Sequence, residues 1–218
     1  MRFLLLIIFA GGFLSFKGYE EYKVSANASS TPTLTKVADI ENGKKLTNNY
    51  VKLDEHRALI GFCVYSASLK KHETKVRDSS TIEYIYYPVL STEHPFSKKM
   101  AALISKYKSI NNIPGNMFPE LSDVSVLVKS ERYKTYGSIP ESIGVKKSLK
   151  GLVVNSINSL DSEEKSLIRS QFKGADFNKL VIIEENRTPS STITAFGMMG
   201  GGIAIIICTF LFGFKGRD

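Results

Sequence analysis

A chain of 218 residues has room for one folded domain plus membrane segments, and not for two large domains. Hydrophobic residues make up 43% and charged residues 23%, which excludes a wholly disordered chain; 29 basic against 21 acidic side chains give a net charge of +8. Only two cysteines occur, Cys63 in the middle and Cys208 in a C-terminal apolar run, so no disulfide framework exists and an ordinary apolar core must hold the fold.

The N-terminal segment, residues 1–19, reads as a signal anchor or a signal peptide. Arg2 is the positive flank, and Phe3 to Phe16 carries no charge, about 21 Å of helix. Lys17, Gly18, Tyr19 and Glu20 follow directly, a poor cleavage context that favours an uncleaved anchor with Lys17 snorkelling. Residues 20–35, rich in Ser, Thr, Ala and Asn with Pro32, read as a linker.

Residues 36–188 read as an extracytoplasmic α+β domain with a mostly antiparallel sheet and two helices; a curled sheet of the OB type is one form that fits. Strands are expected at 50–53, 58–66, 81–90, 123–129, 149–157 and 179–184. Pro88 places the end of the third at an edge or a terminus. The polar stretch 70–80 reads as a hairpin tip. A helix is expected from Pro95, with Phe96, Met100, Leu103, Ile104 and Tyr107 on one face, ended by Asn111, Asn112 and Pro114. A second starts at the Asp161/Glu164 capping-box spacing, buries Leu160, Leu167, Ile168 and Phe172, and stops at Gly174.

Residues 192–214 read as a transmembrane helix and 215–218 as a cytoplasmic tail. Ile193 to Phe214 would make about 33 Å of helix, enough for a bilayer core. Arg2, Lys215 and Arg217 lie on one side of the two spans, with Glu20, Glu21, Glu184 and Glu185 on the other. The expectation is therefore both termini in the cytoplasm and residues 20–191 outside. Gly11 and Ser15 in the first span, and Gly197 and Gly201 in the second, have the small-xxx-small spacing that lets helix backbones approach. They are the candidates for packing the spans on each other or for a homodimer.

Chemistry is sparse in this sequence. Cys63 lies in the apolar stretch Gly61-Phe62-Cys63-Val64-Tyr65 and reads as inert packing. His56, His72 and His94 match no metal spacing, and no nucleophile elbow or phosphate-loop pattern occurs. No catalytic, cofactor-binding or metal residues are therefore expected, and no cofactor. Tyr84, Tyr86 and Tyr87 read as core rather than as an exposed aromatic platform. Lys98, Lys99, Lys106 and Lys108, away from the apolar face of their helix, are candidate contacts to an anionic lipid surface. Dispersed lysines disfavour nucleic acid as a partner.

The pieces Asn49-Tyr50-Val51-Lys52-Leu53, Tyr86-Tyr87-Pro88-Val89-Leu90 and Glu184-Glu185-Asn186-Arg187-Thr188-Pro189 sit in a layout of span, domain and span. That layout resembles bacterial inner-membrane proteins with a periplasmic domain between two transmembrane helices. It is also similar to the inter-span domain of the GIDE family of membrane E3 ligases, without the RING, so ligase activity does not carry over. The resemblance implies a periplasmic domain and supplies no functional residues. The expected role is a scaffold, assembly factor or accessory subunit of a membrane complex, partnered by lipid and by a protein of the same membrane or a second copy. A lipid- or ligand-sensing domain and a membrane-anchored envelope enzyme are the alternatives.

Overall fold

A computed structural model describes residues 2–68, 75–155, 160, 162–172 and 176–214. In chain order the elements are α1 (Arg2–Ser25), β1 (Thr33–Thr35), α2 (Val37–Glu41), β2 (Tyr50–Leu53), β3 (His56–Leu59), β4 (Val64–Ser68), β5 (Thr81–Ser91), α3 (Pro95–Tyr107), β6 (Val126–Ser130), β7 (Ile143–Lys146), β8 (Leu149–Asn155), α4 (Ser162–Gln171), β9 (Val181–Glu185) and α5 (Thr192–Phe214). Two compact units result. One is Thr31–Arg187; the other joins Met1–Ser30 with Thr188–Asp218.

The unit Thr31–Arg187 is a mixed α+β domain built on one strongly curled, half-barrel sheet. Its order is β1-β2-β8-β9-β6-β5-β3-β7, with β4 beside β5. Only β1–β2 and β6–β9 pair in parallel; the other ladders are antiparallel. Alternation along the strands sends side chains to the two faces of the sheet, and a third cluster gathers Leu59, Leu90 and Ile143 with Phe96 and Met100 of α3. Val126, Val128 and Ile183 join Val51, Leu53, Ile85 and Val89 on one face, while Leu127 and Ile182 join Tyr86, Ile168 and Phe172 on the other.

β5 is the strand on which the sheet turns. β6 covers one of its edges from Ile85 to Val89. On the other edge β4 pairs with it up to Tyr86, and β3 takes over at Val89. The expected single strand over 58–66 is thus corrected: a 3-10 turn at Ile60–Phe62 splits it into β3 and β4. Pro88 falls opposite that split, where the ladder is interrupted and no N–H is required. It is therefore inside the strand rather than at its edge or end. A bulge where Ser66 gives way to Ala67 shifts the register around Glu83, so Ile82 and Ile85 reach the same core despite their odd spacing.

Other boundaries also move. The fourth expected strand, over 123–129, becomes β6 starting only at Val126, because Asp123 takes the left-handed region at φ 55. The expected linker 20–35 begins as helix through Ser25 and ends as β1. α2, β1 and β7 were not expected from the sequence; all are short. α3 forms as expected, with Phe96 and Met100 buried, each contributing about 1.5–3 kcal/mol. Lys108, left-handed at φ 64, ends it by donating its backbone N–H to Ile104 O at 2.7 Å, ahead of Asn111. Ile168 on α4 and Phe172 just past its end are buried, but Leu167 is 38% exposed and leaves the expected face. The Asp161 cap, the Gly174 stop, His72 and part of the 70–80 tip lie outside the described residues.

One helix among the described residues is long and apolar enough to cross a membrane: α5, over Thr192–Leu211. Only 11% of that window is buried, whereas a core helix would be mostly buried. The expectation of two flanking spans is corrected to this one. α1 is a continuous helix, but Lys17, Glu20, Glu21 and Lys23 occupy its last turns and shorten its apolar part.

His56 on β3 is fully buried; its Nδ1 donates to Asp54 O at 2.6 Å, and its Nε2 has no partner among the described residues. Burial holds its pKa below the usual value. The unfolded chain therefore binds a proton more readily than the folded one, and stability falls as pH drops through the unfolded histidine range near 6.5. Thermal unfolding in detergent micelles should show a melting temperature that falls between pH 7.5 and 5.5. His56→Gln should flatten that slope; an unchanged slope would remove His56 as its source.

Candidate functional site

The unit formed by α1 and α5 is an antiparallel helix pair, and its seam is made of small residues. A methyl added at Gly11 would meet Gly202 O at 2.8 Å, and one at Gly18 would meet Ala195 O at 2.8 Å and Met199 N at 2.7 Å. A methyl at Gly202 would collide with the Gly11 carbonyl and with Ser15. Ser15 Oγ donates to Met199 O at 3.1 Å, a bond across 184 residues of chain. Towards the charged end of α1, the Tyr22 and Phe196 rings pack at a tilt of 40° with centroids 5.2 Å apart. Ser190 N donates to Ser25 Oγ at 3.0 Å, and Ser190 Oγ donates to Glu21 Oε2 at 2.6 Å. Ser191 caps α5 by accepting from Thr194 N at 3.0 Å.

Two of the four packing candidates, Gly11 and Ser15, lie in this seam. Gly197 and Gly201 do not: a methyl at either meets nothing within 4 Å. At 100° per residue they sit on the side of α5 opposite Ala195 and Gly202, with Gly200, Ala204 and Cys208 alongside. The missed residues carry a legible signal. Gly11 and Gly18 are seven apart, and so are Ala195 and Gly202, which is two turns of each helix. Leu5, Leu6, Phe9, Phe13 and Phe16 on α1, and Ile203, Ile207, Phe210 and Leu211 on α5, are exposed and apolar.

In the domain, Lys98, Lys99, Lys106 and Lys108 are all exposed, as the α3 pattern requires. Tyr86 and Tyr87 are buried and Tyr84 half-buried. Tyr86 Oη donates to Glu164 Oε1 at 2.9 Å and ties α4 to the sheet. Lys129 Nζ lies 4.2 Å from the Tyr84 ring centroid and 3.8 Å from Glu164. Burial first, and the Glu164 carboxylate second, push the Tyr86 phenol far above its ordinary range. Cys63 is half-buried, and burial raises its thiol to about 11. It carries almost no thiolate at neutral pH.

An open cavity of about 430 Å³ lies between α2, the end of β5 and the start of α3. Ala38, Glu41, Asn42, Ser91, Glu93, His94, Pro95, Asp123, Ser125, Asp176 and Lys179 line it. Glu41 is held in place there: Oε1 accepts from Ser91 N at 2.7 Å and Oε2 from Ser91 Oγ at 2.5 Å. His94 caps α3, its Nδ1 accepting from Phe96 N at 3.2 Å. A Lys179 hydrogen bond, at an Nζ distance of 3.1 Å, lowers the Asp176 pKa. The described residues contain no cluster of three or more His, Cys, Asp or Glu side chains placed to hold a metal ion.

No protein-family model, curated protein or solved structure matches this chain. The functional reading rests on the residues above.

The seam makes one prediction and Cys63 another. Gly202→Val should destabilise the helix pair by about 1–3 kcal/mol, because backbone carbonyls cannot move aside. Gly197→Val should cost little. Unfolding of both variants in mixed micelles separates them. In a Cys208→Ala background, iodoacetamide alkylation of Cys63 should rise about tenfold per pH unit up to its pKa; a rate already saturated at pH 8 would show an activated thiol instead.

Proposed function

We propose that this chain is a membrane-anchored accessory protein, a scaffold or assembly subunit of a membrane complex, in which α5 crosses the bilayer and the α+β domain lies on the extracytoplasmic side. In a bacterium this would be the inner membrane, with residues 20–191 in the periplasm. Because α1 packs antiparallel on α5 from Gly11 to Ser25, its apolar turns share the depth of α5 in any membrane that α5 crosses.

The observation that carries the reading is the two-sidedness of α5. One side, Ala195 and Gly202, is used up by α1. The other, Gly197, Gly200 and Gly201, is just as smooth and meets nothing. Small residues facing lipid give up packing that a larger side chain would supply, and close backbone approach is what makes them worth keeping in a membrane helix. A second membrane helix, from a partner or another copy of this chain, is the occupant that suits them. The exposed lysines of α3 favour a second reading, in which the domain also senses anionic lipid.

The test is crosslinking and mass spectrometry on protein tagged after Asp218 and purified gently from its native membrane. A stoichiometric membrane partner or a homodimer is expected. Gly197→Leu with Gly201→Leu should abolish it while leaving the α1–α5 pair intact. A chain that runs alone, or an association the double variant does not touch, would remove the reading. Reporter fusions within 75–80 should register the outside; a cytoplasmic signal would reverse the orientation.

A further inference from the structure

We infer that Arg57 and Ser97, at the corner of the domain where β3 and α3 begin, form a binding site for a terminal phosphate group, of the phosphate-monoester class. This goes beyond the membrane reading and does not rest on it. Among the described residues, three side-chain polar atoms are buried without a hydrogen-bond partner: His56 Nε2, Arg57 Nε and Ser97 Oγ. All three belong to this corner, because Ser91, the residue opposite His56, leads directly into the turn that starts α3. Buried polar groups are almost always paired, so orphans gathered in one place call for a functional explanation.

Arg57 is the anchor. It is only 6% exposed, and no carboxylate among the described residues pairs with it. Burial lowers its pKa, and no neighbouring charge offsets that effect. Glu41, Glu93 and Asp123 line the separate cavity beside α2 and leave it unpaired. An unpaired guanidinium taken out of water is costly, and an arriving anion offsets that cost. Nε–H and one Nη–H make the planar fork that fits two oxygens of an oxyanion.

Ser97 supplies the independent observation, and the register puts it on the same side. Arg57 sits opposite Leu90 and two positions from Leu59, so it faces the layer where those residues pack against Phe96 and Met100. Around α3, Phe96 and Ser97 lie on either side of Met100. Phe96 meets Phe62, past the C-terminal end of β3, with centroids 6.0 Å apart. Ser97 is therefore on the flank towards the start of β3, where Arg57 lies. It is 1% exposed and offers two donors. Its Oγ is unpartnered, and its backbone N–H is left over in the first turn: Phe96 N donates to His94 Nδ1 and Lys98 N to His94 O. These donors, the Arg57 fork and the positive end of the α3 dipole suit a group with three oxygens and more than one negative charge. A phosphate monoester has both, whereas a carboxylate has two oxygens and one charge. His56 lies on the other face of β3 and, with Nδ1 donating, lacks a donor rather than an acceptor. Lys98, Lys99 and Lys146, all exposed, make the approach basic.

Isothermal titration of the full chain in detergent micelles tests this with two probes. Inorganic phosphate stands for a soluble source, and dioctanoyl phosphatidic acid for a lipid headgroup. Dioctanoyl phosphatidylglycerol, an anionic phosphodiester, is the control. Saturable binding of a probe is expected, with the control at least about tenfold weaker. Binding of phosphate assigns a soluble source, and binding of phosphatidic acid alone assigns the lipid. Arg57→Lys keeps the charge without the fork, and Ser97→Ala removes one donor; each should weaken the bound probe about tenfold. Arg57→Met should abolish binding and, in phosphate-free buffer, raise the melting temperature, the opposite of what a purely structural arginine would do. No saturable binding of either probe, a control as tight as the probes, or unchanged affinity in Arg57→Lys and Ser97→Ala would overturn the site. So would a melting temperature lowered by Arg57→Met.

Discussion

A single strand carries two neighbours on one edge, and the domain follows from how it does so. β5 pairs with β4 and then with β3, and the handover comes where Pro88 has no N–H to offer. The 3-10 turn at Ile60–Phe62 fills the step on the opposite side. Because β3 and β4 need not lie in one line, the sheet can curl around the core that holds Ile82, Ile85, Tyr87 and Val89. The same alternation sends Tyr84 and Tyr86 outward to meet α4, and the end of β5 delivers Ser91 to Glu41 and the chain to the start of α3.

The two units are held by different physics. In the domain, apolar burial dominates, and polar groups are tied down by partners of defined geometry: Glu41 by Ser91, Tyr86 by Glu164. In the helix pair, little apolar surface is withdrawn from the surroundings, and the exposed faces stay apolar. Close backbone approach takes over, and each seam glycine is there because a carbonyl of the other helix stands where a side chain would be. A Ser15 hydrogen bond and the Ser190 pair add direction at defined points.

The sequence exposes strong periodicity well and local chemistry poorly. α3 is legible because its apolar residues recur at helical spacing and proline starts it. β5 and β9 are legible from dense runs of Ile, Val and Tyr. The break inside 58–66 is not, since Ile60, Gly61 and Phe62 are as apolar as a strand and only the pairing of β5 reveals the turn. β1 and β7 are too short for any pattern to accumulate. Small-xxx-small spacing picks out the Gly11 and Ser15 face of α1 that meets α5, but on α5 it picks out Gly197 and Gly201, which lie away from a seam whose Ala195 and Gly202 are seven apart. The cavity is illegible in one dimension: Glu41, His94 and Asp123 come from three parts of the chain, and curling of the sheet brings them together.

The Ser15–Met199 bond joins residues 184 apart, and this sets a clock on assembly. At ~5–20 residues per second, α1 emerges from the ribosome roughly 10–40 s before its partner helix has been made. For that interval the Gly11, Ser15 and Gly18 groove stands open in whatever apolar environment receives it. Pairing with α5 is then a late closing event, in competition with any other helix already present, and the chain's ends meet only after the domain between them has had time to fold.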